Sequence, residues 1–169
     1  MSARAKSDGP SAATPAIAAL RAAGVAHEIV KFGHDQSERA FGDEAVRALA
    51  AIGVSPGQVF KTLVVACPQG LAIAVIPVPA RLSLKALAAA LDTSRAEMAD
   101  PAAAQRATGY VVGAISPLGT RKPLPTVVDA SALTWDQMFC SAGRRGWDIA
   151  VAPQDLIRLT AAGTAEITA

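Results

Sequence analysis

Two short segments of this chain hold the residue types that could bind and polarise an acyl group. The first, Gly113 to Gly119, joins two glycines, a serine and a proline within an apolar sequence. Glycine lets a backbone approach a ligand closely, and proline donates no hydrogen bond, so several N–H groups here lack an evident partner. Turned inward, these groups would hold a carbonyl oxygen or a developing oxyanion. A tight turn between two strands is the alternative, and spacing alone favours that turn.

Lys61 is the candidate residue of the second segment, the run from Val59 to Val65. Side chains alternate along a strand, so this lysine shares a face with three apolar residues. An ammonium group is costly to bury among apolar side chains unless a negative group meets it. Lys61 either binds a phosphate or steadies a carbonyl oxygen, or it lies at a strand end where its long stem carries the amine to water. Periodicity leaves both interpretations open.

A basic loop near the C-terminus is a third candidate. Arg144 and Arg145 lie between two glycines, a shape suited to phosphate contact, although a solvated basic turn is the commoner outcome. Ser141 and Asp148 end the predicted strands on either side of this loop. A hairpin would therefore bring these two polar side chains near each other.

Other nucleophile and ligand motifs are absent from the sequence. It contains no Gly-x-Ser-x-Gly, no His-Glu-x-x-His, no Walker loop and no Gly-x-Gly-x-x-Gly. His34 and Asp35 adjoin, but sequence neighbours in a loop rarely orient each other. Cys67 and Cys140 are expected to be small buried hydrophobes, and with two histidines a metal site is not expected. We therefore expect no cofactor, and any hydrolysis would lack a standard nucleophile.

Length and composition indicate one globular domain. The chain has 169 residues, 51% of them hydrophobic, and a mean hydropathy of +0.32, enough to bury a full core. No apolar run approaches the roughly 18 residues that span a membrane. Residues 1–13 lack the apolar centre of a signal peptide, so we expect a loose cytoplasmic tail before a domain over 14–169. The net charge of +2 permits a nucleic-acid partner without indicating one, and 4% aromatic residues are too few for a stacking platform.

Helix-capping residues and apolar periodicity predict the elements that must position these candidates. The predicted helices cover 15–23, 43–51, 84–91, 101–108 and 154–161. Strand-like runs cover 27–32, 59–66, 71–78, 110–113, 126–129, 137–141 and 147–151. A hairpin turn at 67–70 makes the second and third of these strands antiparallel. Regular β-α-β alternation is missing, which favours a single α+β domain with a mixed, largely antiparallel sheet over a doubly wound one.

Taken together, these motifs resemble the YbaK family, the bacterial Cys-tRNA(Pro) deacylases related to the editing domain of bacterial prolyl-tRNA synthetases. The resemblance runs from Thr14 nearly to the C-terminus, and the order and spacing of the matching segments make it specific. Those segments are 14–16, 34–35, 41–44, 59–63, 97–101, 104–106, 108–110, 113–119, 124–126 and 141–148. The resemblance implies a twisted, barrel-like sheet flanked by helices, of the editing-domain type.

The resemblance also implies roles for individual residues. Lys61 matches the family's essential lysine, and Ser141 and Asp148 match residues that line its pocket. The family's Gly-x-x-x-Pro loop binds the aminoacyl group through its backbone. In this chain that loop consists of Gly113, Ala114, Ile115, Ser116 and Pro117.

Two residues depart from the family's pattern. Phe32 stands in the substrate site where similar proteins often have tyrosine, so a hydroxyl contact to the tRNA end is lost. Ala114 replaces a second glycine, which puts a methyl group beside the loop. Arg144 and Arg145 remain the candidates for direct contact with tRNA.

The implied activity is trans-editing, the hydrolysis of the ester that joins a mischarged amino acid to tRNA. In Cys-tRNA(Pro) the substrate's own thiol would attack its carbonyl, which explains the missing catalytic triad. The implied partners are the 3′ end of tRNA(Pro) and, as a further hypothesis, prolyl-tRNA synthetase. Two alternatives stay open: an Ala-tRNA(Pro) deacylase, and a non-catalytic tRNA- or synthetase-binding module of the same fold.

Overall fold

The computed structural model describes residues 3–4 and 13–169, which form five α-helices, two 3-10 helices and nine β-strands. The α-helices are α1 (Pro15–Ala22), α2 (Phe41–Ala50), α3 (Leu84–Ala90), α4 (Pro101–Thr108) and α5 (Pro153–Thr160). The 3-10 helices are Pro56–Gln58 and Ala130–Thr134. The strands are β1 (Ala3–Arg4), β2 (His27–Lys31), β3 (Phe60–Cys67), β4 (Gly70–Pro77), β5 (Glu97–Met98), β6 (Thr126–Asp129), β7 (Met138–Arg144), β8 (Trp147–Val151) and β9 (Gly163–Ala165).

Side-chain caps start three of the helices where the sequence predicts. The Thr14, Ser83 and Asp100 oxygens accept hydrogen bonds from the third N–H group along, at 3.2, 3.1 and 3.1 Å. These bonds satisfy donors that a helix leaves unpaired at its N-terminus. All five predicted helices are confirmed within two residues at either end. The largest difference is at α2, which begins at Phe41 instead of residue 43.

The strands form two sheets. One has the order β1-β2-β8-β7 and is antiparallel throughout. The other has the order β5-β3-β4-β6-β9, with β4, β6 and β9 parallel to one another. Cys67 pairs with Gly70, so the predicted hairpin turn between β3 and β4 is confirmed. The predicted α+β class with a mixed, largely antiparallel arrangement is confirmed as well, with two sheets in place of one.

The barrel-like closure expected from the family resemblance is wrong. Among the described residues, the two sheets meet at one parallel bridge, between Val59 and Phe139. Beyond this bridge β3 is next bonded on its outer edge at Val64, whose carbonyl accepts the N–H of Ala99 at 3.1 Å. The sheets therefore diverge after the bridge and leave a gap between β3 and β7.

The predicted strand over 110–113 is also wrong. Two of its N–H groups bond to side chains of α4: Tyr110 donates to Thr108 Oγ1 at 3.2 Å and Val112 to Gln105 Oε1 at 3.0 Å. These local acceptors replace a neighbouring strand and let the chain turn. Val111 and Val112, which suggested a strand, are 53% and 38% exposed.

The N-terminal region is described only in part. The predicted tail over 1–13 lies outside the described residues except for Ala3–Arg4, which form β1 beside β2, and Ala13. No described helix is long and apolar enough to cross a membrane.

Candidate active site

A pocket of about 320 Å³ opens at the gap between the two sheets. Six parts of the chain line it: the N-terminus of α2, the edge of β3, Val78 after β4, the segment from Met98 to Ala104, the turn after α4, and the β7–β8 hairpin. The polar and backbone groups of interest on its walls belong to Lys61, Thr62, Gly113, Ile115, Ser141 and Asp148. Three separate sequence motifs therefore meet at one cavity.

The bridge between the sheets explains why three polar side chains face the same way. Val59 and Phe139 belong to one buried cluster, so both side chains point to one side of the sheets. Lys61 and Ser141 each lie two residues beyond them, and alternation returns them to that side. Asp148 is the cross-strand partner of Ser141 and shares its face.

Lys61 is half-buried at the edge of the pocket. Its removal from water lowers the pKa of the amine from its ordinary value, and the carboxylate of Asp43 acts on that pKa in the opposite direction. Asp43 lies in the first turn of α2. No described residue forms a hydrogen bond or salt bridge with the amine, which is therefore available to a ligand.

Asp148 is a buried carboxylate that has no counter-ion among residues 3–4 and 13–169. The residue is 6% exposed, and no described residue donates a hydrogen bond to its carboxylate. Burial raises the pKa of Asp148 to about 7 because the charged form loses its hydration. The neighbouring Ser141 hydroxyl accepts the Gly143 N–H at 3.1 Å. A cationic or hydrogen-bond-donating ligand would satisfy this carboxylate.

The segment after α4 turns its backbone toward the pocket. The Ala114 N–H donates to the Val111 carbonyl at 2.9 Å, and Gly113 takes a φ of +88° at the third position of the turn. That is the pattern of a type II turn, which requires a positive φ at this position. The N–H groups of Gly113, Ile115 and Ser116 have no acceptor among the described residues. Two of these three residues, Gly113 and Ile115, line the pocket.

The remaining residues of the predicted loop lie elsewhere. Ala114, Ser116 and Pro117 are buried and are not among the residues that line the pocket. The Ser116 hydroxyl accepts the Leu118 N–H at 3.3 Å. The Leu118 carbonyl in turn accepts the hydroxyl of buried Tyr110 at 2.6 Å, which fixes the base of the loop. The buried residues of the loop therefore support the Gly113 and Ile115 amides at the pocket.

Phe32 and the two arginines lie beside the main pocket. They line a smaller cleft of about 30 Å³ that shares Ser141 and Asp148 with it. The Arg144 guanidinium lies 4.6 Å from the ring centroid of Trp147. Among the six residues predicted for the substrate and tRNA outside the loop, Lys61, Ser141 and Asp148 line the main pocket; Phe32, Arg144 and Arg145 do not.

The remaining sequence candidates are not placed for catalysis. His34 Nδ1 lies 2.7 Å from Glu44 Oε1, and Glu44 also accepts the Asp35 N–H, so the sequence neighbours share a third residue instead of pairing. Cys140 is fully buried, and burial raises the pKa of its thiol. Cys67 is half-buried, so the expectation of a buried residue is met in full at Cys140 alone.

Sequence reasoning assigned no role to Thr62, although it adjoins Lys61. Its hydroxyl is buried and has no hydrogen-bond partner among the described residues. It lies on a stretch of β3 that no strand pairs on the pocket side. A threonine between Phe60 and Val64, on the apolar face of the strand, is the pattern that could have drawn attention to it.

Residues 42–159 match the family described as the aminoacyl-tRNA editing domain. The chain belongs to this family. Editing removes an amino acid from its tRNA by cleaving the ester, so the chain is an aminoacyl-tRNA deacylase. The resemblance found from the motifs is thereby confirmed.

Relatives of this aminoacyl-tRNA editing domain have been named and solved. EbsC of Enterococcus faecalis, named as a candidate Cys-tRNA(Pro)/Cys-tRNA(Cys) deacylase, is 39% identical over 119 residues, 70% of this chain and 73% of that protein. A crystal structure described as a candidate trans-editing enzyme for prolyl tRNA synthetase matches with a TM-score of 0.81 at 24% identity, over 96% of this chain and 99% of that one. A hypothetical protein matches with a TM-score of 0.79 at 24% identity, over 92% and 100%. At these identities, the two structures show a shared fold.

Proposed function

We propose that residues 14–169 form a trans-editing domain that deacylates Cys-tRNA(Pro). The name of the E. faecalis relative supports a cysteinyl substrate. The observation that carries the proposal is that one pocket holds both a buried carboxylate and backbone amides for which the described part of the chain supplies no partner. An aminoacyl ester offers the complementary groups, an α-ammonium and a carbonyl oxygen.

The α-ammonium group of the substrate would bind Asp148, with Ser141 beside it. A charge-assisted hydrogen bond is the strongest contact available to a buried carboxylate, and it removes the cost of leaving that charge unpaired. The ester carbonyl would then face the amides of Gly113 and Ile115, which line the same pocket as Asp148. This arrangement fixes the acyl group at two points.

The chemical step would use the substrate's own thiol. Its sulfur attacks the carbonyl carbon, so a C–S bond forms while the C–O bond to the ribose breaks. The thiol proton goes to the departing ribose oxygen, which leaves tRNA with a free hydroxyl and the amino acid as a cyclic thioester. Water then opens that thioester to free cysteine. The protein contributes orientation and charge stabilisation, which can account for large rate factors without a protein nucleophile.

Lys61 would stabilise negative charge at the ribose or phosphate of the tRNA end. The amine has no described partner and shares the pocket with the loop amides, so it lies near where the ribose oxygen departs. Partial burial strengthens its interaction with an anion because less water screens the charge. The exposed apolar side chains of Met98 and Val112 at this pocket provide a surface for the terminal base.

Selection of the tRNA requires contacts beyond the pocket. A cavity of about 320 Å³ accommodates the aminoacyl end and no more of the tRNA. We therefore propose that the protein acts in the cytoplasm and together with prolyl-tRNA synthetase, which recognises tRNA(Pro). Affinity capture of the synthetase by the purified chain, with and without tRNA(Pro), tests that association.

Deacylation assays with Cys-tRNA(Pro), Ser-tRNA(Pro) and Ala-tRNA(Pro) test the activity, with Lys61→Ala as the inactive reference. We expect rapid release of cysteine and slow release of serine and alanine, since those side chains carry no thiol. Rapid release of alanine would establish an alanyl-specific deacylase instead. Salt-sensitive tRNA binding without ester cleavage would establish the non-catalytic module.

A further inference from the structure

We propose that Arg145 is a positioning residue that aims the Gly113 N–H group into the pocket. The inference rests on the deacylase function proposed above and replaces the tRNA contact expected for this arginine. The evidence consists of two hydrogen bonds from Arg145 to the Val112 oxygen, its contact with the Phe41 ring, and the planarity of the peptide between Val112 and Gly113.

Arg145 holds the carbonyl oxygen of the peptide that supplies the Gly113 amide. Its Nε and Nη2 atoms donate to the Val112 oxygen at 3.1 and 2.7 Å. The Val112 carbonyl and the Gly113 N–H belong to one planar trans peptide, so they point in opposite directions. Fixing the oxygen therefore fixes the N–H, which has no acceptor among the described residues.

The turn needs such a restraint because its central peptide can rotate. Types I and II of a β-turn differ mainly by a flip of the peptide between the second and third residues. Here those residues are Val112 and Gly113, and glycine adopts either form with little cost. A guanidinium bonded to the oxygen on one side stabilises the type II form, the one with Gly113 at a φ of +88°.

Phe41 makes the arrangement rigid on a second side. The Arg145 guanidinium lies 4.8 Å from the centroid of the Phe41 ring. The same ring packs against Gly113 so closely that a Cβ there would meet it at 2.6 Å. Arg145, Phe41 and Gly113 thus form one stack that connects the β7–β8 hairpin, the N-terminus of α2 and the turn. Cation–π contact and bidentate bonding both favour arginine over lysine at this position.

Kinetics distinguish positioning from phosphate binding. For Arg145→Ala we expect the single-turnover rate on Cys-tRNA(Pro) to fall about tenfold to a hundredfold, the range that follows misplacement of a reacting group. The KM and its salt dependence should stay within twofold of the parent. Arg145→Lys keeps the charge but loses the paired guanidinium donors and the ring contact. Its single-turnover rate should therefore lie nearer to that of Arg145→Ala than to that of the parent. Arg158→Ala, which alters an exposed arginine on α5, serves as the control and should change neither quantity.

Backbone amide NMR of the free protein gives a readout that does not depend on the substrate. The Gly113 amide resonance should shift in Arg145→Ala and Arg145→Lys, and it should not shift in Arg158→Ala. A higher KM with a salt slope reduced by about 0.7, at an unchanged rate, would assign Arg145 to a phosphate and overturn the proposal. An unshifted Gly113 resonance would overturn it as well. If the parent cleaves no aminoacyl-tRNA, the proposed function fails, and the resonance still decides whether Arg145 orients this amide.

Discussion

Val59 and Phe139 form the bridge at which the two sheets of the described chain meet. Parallel strands that touch at one pair and then diverge leave unpaired edges on both sides of a wedge. In this protein the wedge is the pocket, with Lys61 on one edge and Ser141 on the other. Unpaired strand edges at a protein surface favour aggregation, but in this protein they form the walls of the site.

Loss of the Lys61 amine should remove most of the activity. We expect Lys61→Ala to lower kcat/KM for Cys-tRNA(Pro) by about a hundredfold or more, the cost typical of deleting a group that stabilises developing charge. Single-turnover deacylation measures this. Lys85→Ala, which removes an exposed lysine on α3, is the matched control and should leave the rate unchanged. Parent-like activity in Lys61→Ala would remove this lysine from the mechanism.

The stability of the free protein should fall as the pH rises from about 4 to about 7. The folded state holds the Asp148 proton with a pKa of about 7, whereas an unfolded aspartate has its ordinary value of 3.8. Folding therefore takes up a proton in this window, and the stabilisation present at low pH is lost as the carboxyl ionises. Asp148→Asn removes the effect, so its advantage in Tm over the parent should grow from pH 4 to pH 7.

Thermal unfolding across that pH range checks this. At pH 8 we expect the free energy of unfolding of Asp148→Asn to exceed that of the parent by roughly 1 kcal/mol or more. Asp136→Asn, at an exposed position, is the control and should follow the parent. A constant Tm difference between Asp148→Asn and the parent at all pH values would contradict the assignment of the proton to Asp148.

Activity should depend on the same carboxyl with the opposite sign. The ionised form is needed to bind the α-ammonium, so kcat/KM should rise with pH along a limb centred at about 7. The bound ammonium favours the carboxylate, which moves the corresponding limb of kcat to lower pH. Rates corrected for spontaneous ester hydrolysis report both limbs. Asp148→Asn should show neither limb and should keep a low activity that does not change with pH.

A side chain at Gly113 should disturb both the turn and the ring beside it. The φ of +88° strains any other residue, and a Cβ would meet Phe41 at 2.6 Å. We expect Gly113→Ala to destabilise the fold by about 1–3 kcal/mol and to lower kcat about a hundredfold. Gly163→Ala, where a Cβ meets nothing within 4 Å, is the control for denaturant unfolding and deacylation. A fully active Gly113→Ala would exclude this amide from carbonyl binding.

Replacement of the Thr62 hydroxyl should stabilise the protein. Thr62→Val keeps the shape and removes a buried group that has no described partner. We expect a gain of about 1 kcal/mol in the free energy of unfolding, or roughly 2–4 °C in Tm. Thr164→Val, at an exposed position on β9, should change neither. A drop in Tm for Thr62→Val would show that the hydroxyl is already satisfied in the folded protein.

Local chemistry made the helices and the β3–β4 hairpin predictable from the sequence. Thr14, Ser83 and Asp100 cap helices through bonds to N–H groups three residues away, and the turn at 67–70 is equally short-range. The strand expected over 110–113 was wrong because the Thr108 and Gln105 side chains accept two of its N–H groups. The pattern of hydrophobic residues does not show that side-chain oxygens will take these N–H groups in place of a neighbouring strand.

The sequence by itself determined which chemical groups this protein can use: an amine at Lys61, carboxyl and hydroxyl groups at Asp148 and Ser141, and a flexible amide at Gly113. Only the tertiary structure decided that they share a cavity. Their convergence depends on where β3 meets β7, and that contact joins residues 80 positions apart. The tertiary structure likewise decided that Arg145 bonds to the Val112 oxygen. The positive charge and the flanking glycines of this loop fit a solvated arginine and a backbone-bonded arginine equally well.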